Sequence, residues 1–199
     1  LNASFSHARL IVSLICLSTL TGGNSTQAET LPAVVRETMQ TYFEDPKADE
    51  VLLQRLKQSS ADHSYHRKGG VFVTLSRNGK SRACWGSVSA TGGDLVQETI
   101  EATVAALTKD YRYKPISRSE WRTLKPQVTV IDAVEPVDGI RTINPLRDGL
   151  MVRAGGKSGV LLPREALDPT YQLVQCKLKA GITPGESYQI FRLRAQVYE

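Results

Sequence analysis

The sequence is poor in cysteine, in long apolar runs and in blocks of like charge. Three cysteines in 199 residues are too few for a disulfide scaffold. No apolar stretch reaches the roughly 20 residues that a bilayer-crossing helix needs, which excludes a polytopic membrane protein. The 25 basic and 20 acidic residues give a net charge of +5 but are dispersed, so nothing resembles a nucleic-acid-binding arm and no nucleic-acid partner is expected. Also missing are G-x-x-x-x-G-K, G-x-G-x-x-G, G-x-S-x-G and H-E-x-x-H, which disfavours the large enzyme classes that depend on them. Gly155-Gly156-Lys157-Ser158 imitates a phosphate loop, yet no helix follows it, and a hairpin turn accounts for it. No cofactor is implied by any of these patterns.

What is present is an apolar fraction of 41%, enough to bury the core of one domain of common size. The first 28 residues read as a secretory signal. His7 and Arg9 precede an apolar run over residues 10–20 (LIVSLICLSTL), and a polar stretch then leads to Thr26-Gln27-Ala28. Cleavage after Ala28 removes Cys16 and leaves a mature domain over residues 29–199. That chain is expected to work outside the cytosol, in the periplasm or cell envelope, without a stable membrane span.

Hydrophobic spacing predicts helices over residues 31–43, 51–56, 94–109 and 169–179, the first capped by Thr30 and the last stopped by Gly181. Alternating or β-branched segments predict strands over residues 71–75, 83–88, 128–131, 150–153, 160–162 and 188–198. Asn78-Gly79 and Gly155-Gly156 supply tight turns that demand positive φ. Strands outnumber helices and hairpins recur, so the expected class is α+β, an antiparallel sheet flanked by helices.

Chemistry concentrates in two short segments. Arg82-Ala83-Cys84-Trp85-Gly86 sets a thiol beside a guanidinium, and a nearby cation favours the reactive thiolate. In a regular strand Arg82, Cys84 and Gly86 share one face, with Ala83 and Trp85 on the other. Cys84 is therefore the one catalytic candidate, while burial as a small apolar filler and a disulfide with Cys176 stay open. Asp110-Tyr111-Arg112-Tyr113 ends the long helix, where an aspartate opposes the helix dipole and needs a partner. Arg112 either pairs with that carboxylate or receives an anion. Arg82, Gly86, Asp110 and Arg112 are the candidate ligand-binding residues. His63 and His66 lie three apart, but Arg67-Lys68 beside them repels a cation and no metal site is expected.

The segments Gly70-Val71-Phe72-Val73-Thr74-Leu75, Arg82-Ala83-Cys84-Trp85-Gly86 and Asp110-Tyr111-Arg112-Tyr113-Lys114-Pro115 resemble the AMMECR domain family, the A protein of the AmmeMemoRadiSam system. Gly159-Val160-Leu161-Leu162-Pro163 and Cys176-Lys177-Leu178-Lys179-Ala180-Gly181-Ile182 extend the resemblance from about residue 32 to the C-terminus. Ala83 stands where the family usually has Gly, Trp85 where it usually has an aliphatic residue, and most members lack an export signal. The resemblance implies an α+β fold with a cleft between two lobes. It also implies a share in a modification system, with a Memo-like protein or a radical SAM enzyme as partner. Two functions are compatible with these residues: a binding or accessory module built on the cleft, and a thiol-dependent enzyme or redox carrier using Cys84.

Overall fold

The computed structural model describes residues 30–57 and 63–199; the proposed signal over residues 1–28 lies outside them. α1 (Leu31–Glu44) starts where the Thr30 hydroxyl accepts the Ala33 N–H at 3.3 Å, and it buries Leu31, Val34, Val35 and Met39. α2 (Ala48–Leu56) follows as a short helix. α3 (Leu95–Thr108) opens with a reciprocal cap: Asp94 Oδ1 accepts the N–H groups of Val96 and Gln97, and Gln97 Oε1 accepts that of Asp94. Its apolar face, Leu95, Ile100, Ala106 and Leu107 included, packs with α1 against the sheet. α4 (Pro169–Ala180) runs from the Asp168 cap to Gly181, whose φ of 62° ends the helix as a left-handed cap.

Six strands form one antiparallel sheet in the order β2-β1-β3-β6-β4-β5. They are β1 (Gly70–Arg77), β2 (Lys80–Gly86), β3 (Lys125–Val137), β4 (Asp148–Ala154), β5 (Lys157–Leu161) and β6 (Gln189–Tyr198). Asn78 and Gly79, with φ of 53° and 73°, make the turn between β1 and β2. Gly155 and Gly156, at 49° and 85°, do the same between β4 and β5, so the glycine-rich stretch is a hairpin turn as its sequence suggests.

β3 is longer than the four residues its β-branched run predicts, because an irregularity near Asp132 resets its alternation. Ile131 opposes Ala195 and Ala133 opposes Arg194, leaving Asp132 as the extra residue. Val128 and Val130 before it and Val137 after it thereby face the same side of the sheet as Tyr198 and Ile190. A strict period of two across the whole strand does not exist, and the predicted segment over residues 128–131 ends where the period breaks. β2 likewise begins at Lys80, three residues earlier than expected, and ends at Gly86.

The sheet curls into a half-barrel. Its helix-bearing side carries two separate cores. One packs α1, α2 and α3 on Val71, Val73, Leu75, Ala83, Val128 and Val130; the other packs α4 on Leu150, Val152 and Leu161. These are the two lobes, joined by strands that run through both. The opposite face holds a smaller apolar cluster, with Phe72, Cys84, Met151, Leu162 and Leu193 among its members. Among the described residues no helix is long and apolar enough to cross a membrane.

Candidate functional site

β2 and β5 are the two edges of the curled sheet, and both line one cavity of about 480 Å³. The cavity is thus the open seam of the half-barrel. Phe72, Cys84, Met151, Val160 and Leu162 supply its apolar floor, and Trp85 and Tyr111, 36% and 90% exposed, stand at its mouth.

Each edge presents a backbone group that no neighbouring strand satisfies, and a charged side chain from a helix end meets it. On the β2 side Asp110 Oδ2 accepts the Cys84 N–H at 2.8 Å. On the β5 side Lys179 Nζ donates to the Val160 carbonyl at 2.9 Å. The aspartate that sits unfavourably at the end of α3 has therefore found its partners. Arg112 grips it with Nε on Oδ1 at 2.9 Å and Nη2 on Oδ2 at 2.7 Å, a bidentate pair. Burial alone would raise the Asp110 carboxyl, but the guanidinium of Arg112 and the N–H groups of Cys84 and Arg112 hold it below the usual carboxylate range. Lys179 is balanced more loosely by Glu165, 3.8 Å away.

The Cys84 thiol sits on the cavity floor and receives the Thr74 hydroxyl at 3.4 Å. Burial pushes it above the ordinary thiol value, against the smaller opposing effects of the Thr74 hydrogen bond, Arg112 and Lys179. The direction is opposite to the one expected of a guanidinium beside the thiol. Arg82 is itself otherwise engaged: its Nε and Nη2 hold both oxygens of Glu120 at 2.6 and 3.1 Å, and it is not among the residues lining the cavity. The Tyr113 ring lies between it and the cavity wall, with the guanidinium carbons of Arg82 and Arg112 at 5.6 and 5.5 Å from the ring centroid.

Cys84, Gly86, Asp110 and Arg112 are brought together along one wall, whereas Arg82 is a support for the loop that follows α3. Gly86 is small because of packing: a Cβ there would lie 2.1 Å from the Val71 carbonyl oxygen and 2.5 Å from Phe72 Cα. Cys176 cannot reach Cys84, since it is buried in the α4 core with its Sγ on the Leu150 carbonyl at 3.2 Å, and both cysteines are free. No cluster of three metal-ligating side chains occurs among the described residues.

The far wall escaped the sequence reading. Met151, Arg153, Val160, Glu165 and Lys179 reach the cavity from β4, β5 and the chain around α4. The alternation of Leu150 and Val152 against Met151 and Arg153 was a usable signal that the last two share a face, but nothing local says what that face opposes.

The chain matches the family model described as AMMECR1 over residues 32–199. A protein of Thermotoga maritima is 33% identical over 146 residues, covering 71% of this chain and 84% of its own. Protein MK0488 of Methanopyrus kandleri is 30% identical over 190 residues, with 87% and 88% covered. The crystal structure of the uncharacterized protein PH0010 from Pyrococcus horikoshii superposes with a TM-score of 0.70 at 26% identity, covering 85% of this chain and 89% of that one.

Proposed function

The chain belongs to the AMMECR1 family, and from that premise we propose that it is a non-enzymatic binding module whose ligand occupies the seam between β2 and β5. The observation that carries this reading is the pairing of an apolar floor with charged rims in one cavity, with Arg82, the cation expected to activate the Cys84 thiol, engaged by Glu120 instead. Its volume falls in the range of small-molecule sites, about 300–1,000 Å³. Mass spectrometry of the purified protein, before and after denaturation, tests the proposal. A species released on denaturation is expected from the wild type and not from Arg112→Ala, whose melting temperature falls because the Asp110 carboxylate loses its bidentate partner, so circular dichroism below both melting temperatures first checks that the variant is folded. Equal retention by both proteins would discard the site.

A thiol-dependent enzyme or redox carrier is the second reading, favoured by the position of Cys84 on the cavity floor near Arg112 and Lys179. Alkylation of Cys84 across pH separates the two. An apparent pKa above the free value of about 8.5 supports the binding module, and one well below it supports the thiol enzyme.

We further propose that the protein acts after export, as an accessory of a modification system. The composition of residues 1–28 supports the first part and the family resemblance the second, with a Memo-like protein or a radical SAM enzyme as the candidate partner. Terminal sequencing of the periplasmic protein is expected to begin at Glu29, and a cytosolic protein retaining residues 1–28 would refute export.

A further inference from the structure

The seam carries more positive charge than it neutralises. Among the described residues three cations line it, Arg112, Arg153 and Lys179, against two carboxylates, Asp110 and Glu165. Arg112 is held bidentately by Asp110, and Lys179 lies near Glu165 while donating to the Val160 carbonyl. Arg153 differs from both. Its guanidinium carbon lies 5.3 Å from the Phe191 ring centroid, and among the described residues no carboxylate pairs with it. It is exposed and shares a strand face with Met151, which forms part of the floor. An exposed guanidinium stacked on an aromatic ring keeps its planar donor edge free and oriented, at little entropic cost to whatever it receives.

We infer that the ligand of this seam is an amphipathic carboxylate: an apolar or aromatic body lies on Phe72, Met151 and Val160, and its carboxylate is received by Arg153. The inference rests on the binding-module reading and adds the ligand's chemical class and the residue that selects it. Asp110 and Glu165 already engage Arg112 and Lys179, the first bidentately and the second at 3.8 Å, so Arg153 is the lining cation left to receive the anion. Bulk phosphates fit the site less well, since the apolar floor offers their oxygens nothing.

A matched pair of probes tests the charge. N-acetylphenylalanine and N-acetylphenylalaninamide share one apolar body and differ in carboxylate against neutral amide. Each is titrated into the ¹⁵N-labelled chain, with the backbone amides of Cys84, Gly86 and Val160 followed as reporters. The acid is expected to bind about tenfold or more tightly than the amide, and the preference to weaken with added salt. Arg153→Gln is expected to bring the two probes within about twofold of each other, while Arg153→Lys, which keeps a cation, retains most of the preference. Arg153 makes no ion pair among the described residues and is exposed, so both variants are expected to fold as the wild type does.

A third probe, 3-phenylpropionate, separates two sources of the same chemistry. Binding that matches N-acetylphenylalanine identifies a free small carboxylate. Weaker binding shows that the amide is also recognised and identifies the carboxyl end of a peptide. Equal binding of acid and amide at the seam, or a preference that survives Arg153→Gln, would overturn the inference while leaving the binding module standing. No shift at the three reporters from any probe up to millimolar concentration would remove both.

Discussion

Glu98 is a carboxylate carried into a nearly sealed position, 5% exposed, because four donors wait for it there. The N–H groups of Thr91, Gly92 and Gly93 reach its Oε1 at 2.7, 3.0 and 3.1 Å, and the Thr91 hydroxyl joins them at 3.0 Å. Replacing it by Gln is expected to cost about 1.5–3 kcal/mol, since each bond to a charged acceptor is lost or weakened and an amide donor can be turned against N–H groups. Urea denaturation measures that cost. Titration at other single residues sets the pH range of the fold. Asp110 and Glu120 both have carboxyls held low, by Arg112 and Arg82 respectively, against the opposing effect of burial. Their contribution is present above the unfolded carboxylate value of about 4 and is lost as pH falls through the lower folded values. Asp110→Asn is therefore expected to be less stable at neutrality and to flatten the acid limb of a stability profile measured by thermal melts. The thiols act in the opposite direction. Burial pushes Cys176 up to about 12, so its contribution is complete below the unfolded thiol value of about 8.5 and fades as pH climbs beyond it. At this scale the sequence exposed the candidates but not their bonds. Asp110 and Arg112 are two apart and could be read as a pair, whereas the partner of Arg82 is Glu120, 38 residues away, and nothing in the intervening chain announces it.

Between elements, the decisive contacts are close approaches. An added Cβ on Gly159 would stand 2.0 Å from the Cys176 carbonyl oxygen and 2.8 Å from the Ala180 nitrogen, so β5 and α4 lie as near to each other as a backbone without side chain allows. Gly159→Ala is expected to lose about 1–3 kcal/mol through overpacking, and it pushes α4, with Lys179, away from the seam. A chemical denaturation curve gives the first effect. Loss of the Lys179 bond to the Val160 carbonyl, seen as a change in the carbonyl ¹³C shift of Val160, gives the second. Element boundaries were legible wherever a local rule enforces them: the Asn78-Gly79 and Gly155-Gly156 turns, the Thr30 cap, the Gly181 stop. They were illegible where pairing with a distant strand decides them. The second half of β3 is a strand because β6 lies alongside it, not because its residues insist on being one.

For the whole molecule, β3 and β6 are the spine. Tyr198 at one end of β6 belongs to the α1–α3 core and Ile190 at the other to the α4 core, so neither helical layer can detach without tearing the same strand pair. The α+β class and its antiparallel sheet followed from counting elements and hairpins. The curl that sets residue 84 opposite residue 160 did not, because curvature is a sum over strand twists and bulges that no short window contains. The two hems of that curl have a consequence for behaviour in a crowded compartment. A bare strand margin invites a second molecule to zip onto it, and proteins that survive at high concentration obstruct such margins. Here a fixed anion guards one hem and a fixed cation the other. Asp110→Ala combined with Lys179→Ala would expose both margins at once, and light scattering is expected to show concentration-dependent chaining of molecules that are individually still folded.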